Sequence, residues 1–417
     1  MKLNTKQTFF IGLAFMSICA FWQLYDQIIP LMLDHTFHLN ATLIGIIMSF
    51  DNILALFMLP FFGSLSDKID TRLGKRMPFI LTGTFTAAVF LILIPIAANM
   101  KSIALFIIAL ALTLIAMQSY RSPAVALMPD LTPKPLLSKA NAIINLMGAI
   151  GGMLALILIS LFVPEGVENY LPLFISLAAI MLVSAALLFI TVKEKKQTIE
   201  SSRDEPLIQS HKQLPKDVKR SLSFLLFSIA FWFMGYNAVT TAFSRYAAAV
   251  WDKGAGSSAT LMLIATAAAT IAYLPIGQLS ARFGRKKMIQ FGIILLSFSF
   301  LVGGWFTSLS PLAYLIFACV GIAWASINVN SYPMVVAMAS EGDIGKYTGI
   351  YYTFSMSAQI ITPILSGLFI DLTGYGSLFP YAFICTLLAF ITFTQVAHGD
   401  EKCAGPKGIE AFEEMDA

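Results

Sequence analysis

The segment GSLSDKIDTRLGKR, residues 63–76, lies between two long apolar runs, and a shorter version of it, GQLSARFGRK at residues 277–286, follows about half a chain later. Both copies begin with Gly-x-Leu-Ser and end in Gly followed by two basic residues. A second pair of similar segments, Pro123–Met128 and Pro333–Met338, has nearly the same separation. Two such pairs indicate that the chain consists of two related halves.

Apolar runs flank both copies and continue along the whole chain. Of the 417 residues, 58% are hydrophobic and only 12% are charged, and the mean hydropathy is +0.79. Soluble domains usually carry about 25% charged residues, so this composition excludes a soluble fold. Runs of about 20 apolar residues can span a bilayer, and we predict twelve such helices, at residues 9–33, 42–65, 77–98, 102–120, 140–162, 170–192, 221–246, 257–279, 288–308, 312–332, 348–370 and 378–396. The sequence therefore predicts an all-α membrane protein.

The polar segments between these helices predict the domains and their orientation. Residues 197–218 are expected to be a cytoplasmic linker between two six-helix bundles, 1–196 and 219–397, and residues 398–417 a flexible cytoplasmic tail. Cytoplasmic loops are enriched in Lys and Arg. With both termini in the cytoplasm, the 27 Lys and Arg residues all fall on that side except Lys101, Arg245 and Lys253. We expect a multi-pass protein of the cell's inner (plasma) membrane.

The repeated loop at 63–76 combines residue types that suit a conformational switch. A Gly at a helix end lets two helices approach closely, and an Asp beside basic residues can form an ion pair that breaks and re-forms as two bundles move. Positive charge alone could also fix the topology without any switching role. We predict a switch made of Gly63, Asp67, Lys68, Arg72, Gly74, Lys75 and Arg76.

This loop resembles the hallmark motif of the major facilitator superfamily, Gly-x-x-x-Asp-(Arg/Lys) followed by Gly and two basic residues. The resemblance implies a fold of twelve transmembrane helices in two six-helix bundles, and secondary transport. Three residues separate Lys68 from Arg72, and this widened form is similar to that of the sucrose–proton symporters and their relatives, the glycoside–pentoside–hexuronide cation symporters. YRSPAVALMPDL at 120–131 and NVNSYPMVVAM at 328–338 are also similar to that branch.

That branch implies uptake of glycosides coupled to protons or sodium ions. Melibiose-type sodium symporters carry two carboxylates one turn apart on helix 2, whereas here Ala55 follows Asp51 at that spacing. The resemblance therefore favours protons as the coupling ion and leaves sodium as the alternative.

Two carboxylates lie within predicted helices, Asp26 in helix 1 and Asp51 in helix 2. A carboxylate deep in the membrane costs about 2.5 to 3.5 kcal/mol, and proton binding is a reason to keep it there; a packing role with a hydrogen-bonded neighbour is the alternative. Arg121, at the predicted end of helix 4, matches an arginine that matters for coupling in the resembled branch, although it could instead extend into cytoplasmic water. We predict that Asp26, Asp51 and Arg121 couple proton and substrate, with Asp26 as the first choice.

Aromatic and polar side chains recur at helical spacing on predicted helices 1, 7, 10 and 11. A sugar has apolar C–H faces that stack on rings and hydroxyl groups that bond to amides. A single aromatic residue in such a helix more often serves packing or the interfacial belt. Because these residues pool on four helices, we predict a substrate site made of Trp22, Tyr25, Trp232, Tyr236, Asn237, Trp324, Asn328, Tyr352 and Gln359.

These features predict a monomeric, proton-coupled importer of a neutral glycoside, a disaccharide or glucoside, in the lipid bilayer. An exporter of drugs or metabolites on the same fold is a second interpretation. A membrane-embedded enzyme is a third, but it needs a nucleophile–base pair, metal ligands or a P-loop, and GDIGKY at 342–347 lacks the P-loop spacing. We expect no enzymatic activity, cofactor, metal site or nucleic-acid partner.

Overall fold

A computed structural model describes residues 4–69, 71–132, 136–164, 169–194, 215–338 and 344–400. Within these ranges twelve helices are long and apolar enough to cross a membrane, which confirms the predicted all-α membrane fold. They are α1 (Thr5–His35), α2 (Ala41–Lys68), α3 (Met77–Asn99), α4 (Ile103–Leu131), α5 (Leu137–Phe162), α6 (Leu171–Thr191), α7 (Lys216–Trp251), α8 (Ala255–Phe283), α9 (Arg285–Gly303), α10 (Pro311–Val336), α11 (Ile344–Thr373) and α12 (Leu378–Thr394). Most of the predicted linker and all of the tail after residue 400 lie outside the described residues.

Local sequence explains where several helices begin. The Asn4 side chain accepts a hydrogen bond from the Gln7 backbone N–H at 3.2 Å, which pairs one of the N–H groups that α1 itself cannot pair. The helices α3, α6 and α10 begin with Pro in the first turn, where the missing N–H carries no penalty and the fixed φ suits a helix.

The helices group into two compact units. The first comprises Met1–Leu39, Phe50–Ser201 and Lys253–Thr260, and the second Asn40–Ser49, Ser202–Asp252 and Leu261–Ala417. The division therefore passes through α2 and α8, whose first residues group with the opposite half of the sequence. The predicted bundle limits at 196 and 219 stay a prediction, since most residues between them lie outside the described ranges.

The two units share one packing pattern. In the first unit α1 packs closely on α5 and α6, and α3 packs on α4 and α6. In the second unit the same pairs recur six helices later, with α7 on α11 and α12, and α9 on α10 and α12. This correspondence supports the duplication that the repeated sequence segments indicated.

The two copies of the repeated loop also share their backbone conformation. Gly74 has φ 114° and Gly284 has φ 95°, in the left-handed region that favours glycine. Each lies just before the third helix of its half, α3 or α9. The glycines that both copies keep are therefore explained by the sharp turn into that helix.

A carboxylate covers the start of each of these two helices. Glu194, just after α6, accepts hydrogen bonds from the backbone N–H groups of Lys75, Arg76 and Met77 at 2.8–2.9 Å. Asp400, after α12, accepts one from the Lys286 N–H at 3.0 Å. The equivalent positions of the two carboxylates extend the internal repeat to residues that sequence comparison had not matched.

Glycine also allows the close crossing of α1 and α5. A Cβ atom at Gly151 would collide with the backbone carbonyl of Met16, whereas one at the neighbouring Gly152 would meet only the Gln23 side chain at an ordinary 3.7 Å. The two adjacent glycines therefore differ sharply in how much room they leave.

We expect Gly151→Ala to lower the apparent melting temperature in detergent by several degrees, because α1 and α5 must separate. The matched control, Gly152→Ala, should leave it unchanged or raise it, since Ala favours a helix by about 0.5–1 kcal/mol over Gly. Size-exclusion thermostability assays measure both. Equal effects of the two substitutions would contradict the close crossing.

Candidate functional site

Three residues of α1 form an aromatic and acidic face, as their spacing predicted. The rings of Trp22 and Tyr25 meet edge to face with centroids 5.5 Å apart, and Asp26 follows in the same turn. Tyr25 is buried, whereas Trp22 and Asp26 are half-buried. This face lies within the first unit.

Arg121 lies over the Trp22 ring, with its guanidinium carbon 5.3 Å from the ring centroid. This is the geometry of a cation–π contact. The prediction that Arg121 ends helix 4 was wrong, because α4 continues to Leu131 with Pro123 inside it. Arg121 is therefore a half-buried residue within a helix, packed on α1, and does not project from a helix end.

Asp51 of α2 belongs to the same group. Its Oδ1 accepts a hydrogen bond from Nδ2 of Asn52 at 2.8 Å, and its backbone carbonyl accepts one from Nε2 of Gln118 at 3.3 Å. Asp51 and Arg121 also attract each other electrostatically. The Asp51 carboxylate thus has both a hydrogen-bond donor and a cation.

Gln118 is a member of this group that the sequence analysis missed. It is fully buried, and its Oε1 has no hydrogen-bond partner among the described residues. The available signal was its position three residues before Arg121, on the same face of an otherwise apolar helix.

Asp26 has a different environment from Asp51. Across the described ranges no residue donates a hydrogen bond to the Asp26 carboxylate, and its electrostatic interaction with Asp51 is repulsive. Away from the helix ends, the described spans of the first unit contain three charged residues, Asp26, Asp51 and Arg121. When all three are ionised, this group has one negative charge in excess.

In the second unit, aromatic rings of α7 and α10 form a stack. Tyr236 lies parallel to Trp324 with centroids 3.7 Å apart and 8° between the planes, and Phe233 meets Trp324 edge to face at 5.2 Å. Asn237 follows Tyr236, and its Nδ2 has no partner among the residues described. Asn328, one turn after Trp324, is exposed and hydrogen-bonds to Tyr273 of α8.

Trp232 lies apart from this stack, although its spacing predicted that it would join Tyr236. Its side chain is fully buried and meets Phe393 of α12 edge to face at 6.2 Å. Phe233 and Trp232 precede Tyr236 by three and four residues and lie on either side of its helix face. Of these two, Phe233 is the one that packs on Trp324 of α10. The placement of Trp232 favours packing over substrate contact.

The predicted residues of α11 lie in another group. Tyr352 is half exposed. Its ring centroid lies 5.3 Å from that of Tyr351 and 6.5 Å from that of Tyr332 of α10. Gln359 donates a hydrogen bond to the Ser355 carbonyl of its own helix at 3.4 Å. The structure thus divides the predicted substrate residues among several groups.

The predicted switch loop is organised around Arg76, which is only 4% exposed. Its Nη2 donates to Asp67 at 2.5 Å and its Nε to Asp130 of α4 at 2.8 Å. Its Nη1 donates to the Ser66 hydroxyl and, at 3.4 Å, to the Gly63 carbonyl. Gly63, Asp67 and Arg76 therefore come together as the sequence suggested.

Electrostatics favour this arrangement despite burial. Burial alone would lower the pKa of the Arg76 guanidinium, but the hydrogen bond and charge of Asp130, together with Asp67, outweigh it and raise the pKa. The sequence analysis missed Asp130. Lys68 and Arg72 are exposed, and Lys75 is half-buried.

A comparison with protein families gives a match along most of the chain. A family model described as Major Facilitator Superfamily matches residues 11–269 and 247–408. The sucrose transport protein SUC3 of Arabidopsis thaliana is 31% identical over 121 residues, a match that covers 24% of this chain and 20% of that protein.

Solved structures with a similar fold are transporters of different substrates. The crystal structure of nucleoside transporter NupG has a TM-score of 0.67 at 17% identity and covers 95% of this chain and 100% of its own. A bacterial homologue of the iron transporter ferroportin has a TM-score of 0.71 at 14% identity, with 95% and 99% covered. The POT family transporter PepTSo has a TM-score of 0.68 at 12% identity, and the match covers 95% of this chain and 98% of that one. At these identities the likeness concerns the fold alone.

We expect Arg76→Lys to destabilise the first unit by about 2 kcal/mol, because an ammonium group cannot replace several guanidinium bonds to Asp67, Asp130 and Gly63. Arg72→Lys makes the same change at an exposed position of the same loop and should have little effect. Apparent melting temperatures in detergent measure both. A decrease in both variants, or in neither, would contradict the central role of Arg76.

Proposed function

The chain belongs to the major facilitator superfamily, and on that premise we propose that it is a secondary transporter that imports a neutral glycoside together with a proton by alternating access. Membership and the twelve membrane-crossing helices make it a multi-pass membrane transporter of a small molecule. The observation that carries the finer proposal is the group of Asp26, Asp51 and Arg121 beside an aromatic face.

Asp26 is the proposed proton carrier. Asp51 has a donor in Asn52 and a cation in Arg121, and both favour its ionised form. Among the described residues Asp26 has neither, and protonation of Asp26 removes its repulsion with Asp51 without breaking any hydrogen bond found there. One proton also cancels the single excess negative charge of the group. This supports a ratio of one proton to one sugar.

The membrane potential supplies enough work at that ratio. One charge that moves through 100 mV provides about 2.3 kcal/mol, which corresponds to roughly fifty-fold accumulation of a neutral solute. A single carboxylate is therefore sufficient for uphill uptake. Sodium is the alternative coupling ion, and the transport assay below distinguishes it from the proton.

A sugar is the proposed substrate because rings and unpaired polar atoms occur together in each unit. In the first unit the Trp22 indole N–H and the Gln118 Oε1 are buried without partners among the described residues, one a donor and the other an acceptor. A hydroxyl group can satisfy both kinds of atom. In the second unit the stack of Tyr236 on Trp324 offers an aromatic platform with Asn237 alongside it.

The match to the sucrose transport protein supports the same substrate class, although it covers only 20% of that protein. We further propose that the transporter works as a monomer in the cell's inner membrane with both termini in the cytoplasm. The distribution of Lys and Arg supports this orientation.

We expect Asp26→Asn, which mimics the protonated acid, to abolish accumulation driven by a pH gradient while sugar exchange between two pools continues. Proteoliposomes tested with a panel of labelled disaccharides and glucosides measure both activities, with imposed proton or sodium gradients. Asp51→Asn should slow transport but retain accumulation. Normal accumulation by both variants would refute the carboxylate mechanism, and accumulation lost only in Asp51→Asn would reverse the roles.

We expect Trp324→Ala to weaken equilibrium binding of the transported sugar about two- to tenfold, because one stacking ring contributes about 0.5–1.5 kcal/mol. Trp305→Ala is the control, since Trp305 is 74% exposed outside the helices. Binding of the labelled sugar to purified protein measures both. Unchanged affinity in Trp324→Ala would remove this stack from the proposed site.

A further inference from the structure

The start of α2 is held by a residue far away in the chain. Asn40 accepts a hydrogen bond from the Leu43 N–H at 2.8 Å, which leaves the first two N–H groups of the helix unpaired locally. The Asp371 carboxylate near the end of α11 accepts both, from Ala41 at 2.7 Å and from Thr42 at 2.8 Å. It also accepts the Thr42 hydroxyl at 2.5 Å.

The backbones of α2 and α11 approach each other closely along the same contact. A Cβ atom at Gly45 would collide with the carbonyl group of Pro363, and one at Gly367 with that of Ala41. One turn further along α2, the Ser49 hydroxyl donates to the Ile360 carbonyl at 2.8 Å. The contact ends where α2 passes from the second unit to the first, between Ser49 and Phe50.

Arg245 of α7 lies near this contact with unused bonding capacity. It attracts Asp371 electrostatically but forms no hydrogen bond with it. The Arg245 side chain is buried, and its Nε and Nη1 have no partner among the described residues. Buried N–H groups without a partner cost free energy, so a movement of Asp371 towards Arg245 would be favourable for Arg245.

We propose that Asp371 is a gating residue that exchanges partners. It holds the start of α2 while the external side of the transporter is closed, and it pairs with Arg245 when α2 moves away and that side opens. The external position follows from the orientation that the Lys and Arg distribution supports. Asp371 itself is exposed, which leaves it free to move between the two partners.

The exchange explains why the start of α2 and the Arg245 side chain both lie near Asp371. Three charge-assisted bonds favour the closed arrangement, whereas Arg245 favours the open one. The carboxylate lowers the free energy of each state in turn, so neither state traps the transporter. A fixed cap, by contrast, would not require a nearby guanidinium whose Nε and Nη1 have no partner among the described residues.

The test measures how often the external side opens, in lipid nanodiscs without sugar or an ion gradient. Spin labels at His35, which precedes Asn40 in the sequence, and at Gly376, which follows Asp371, report the opening of the contact as a longer distance by double electron–electron resonance. The native Cys19, Cys319, Cys385 and Cys403 are replaced first. Because neither sugar nor a proton gradient is present, the result does not depend on the proposed substrate or coupling ion.

We expect Asp371→Asn to increase the open fraction about threefold, a modest effect because the carboxylate is exposed. Thr42→Val removes one of the three bonds and should shift the fraction in the same direction by less. Arg245→Gln should shift it in the opposite direction, because only the open state loses a partner.

Asp252→Asn is the matched control, since it removes an acidic charge from another external helix end, where Asp252 follows α7. It should leave the open fraction unchanged. If Asp371→Asn cannot be purified in folded form, Thr42→Val and Arg245→Gln still test the exchange. No shift in these variants, a shift of the same sign in both, or an equal shift in Asp252→Asn would overturn the proposal.

Discussion

Every helix begins with backbone N–H groups that it cannot pair itself, and where water is excluded these groups need a partner from the protein. In the described part of the chain, carboxylates from distant segments provide it at three helices. Glu194 covers the start of α3, Asp400 that of α9 and Asp371 that of α2. A negative charge is favoured at this end of a helix. These three carboxylates therefore connect the starts of α2, α3 and α9 to distant parts of the chain, and Arg76, just before α3, adds a cation bonded to Asp67 and Asp130.

In the first unit, the carboxylates of Asp26 and Asp51 are chemically identical but have different neighbours. Asp26 and Asp51 are both carboxylates on apolar helices, but α4 places Arg121 against one of them and leaves the other next to a like charge. The three groups lie on three different helices, Asp26 on α1, Asp51 on α2 and Arg121 on α4. Arg121 also lies over the Trp22 ring, so both this ring and the Asp51 carboxylate stabilise its positive charge.

The twelve spans and the aromatic face of α1 were predictable because span length and helical period are local properties of a sequence. The end of α4 was not predictable, because the apolar run ends at Arg121 and Pro123 while the helix continues to Leu131. Spacing also could not decide between Phe233 and Trp232 as the neighbour of Trp324, because the position of α10 determines it. The partners of Arg76 and of the helix starts lie more than fifty residues away in several cases, and such pairs leave no periodic signal.

The distances in sequence between helix starts and their carboxylates impose an order on synthesis at the ribosome. The start of α3 waits for Glu194, which follows α6, so the first half can complete this cap before the second half is translated. The start of α2 waits much longer, because Asp371 follows Ala41 by 330 residues. Until α11 has been inserted, those two N–H groups depend on water or lipid headgroups. The first half is thus made before the start of α2 has its partner, and Asp371 of the second half provides that partner.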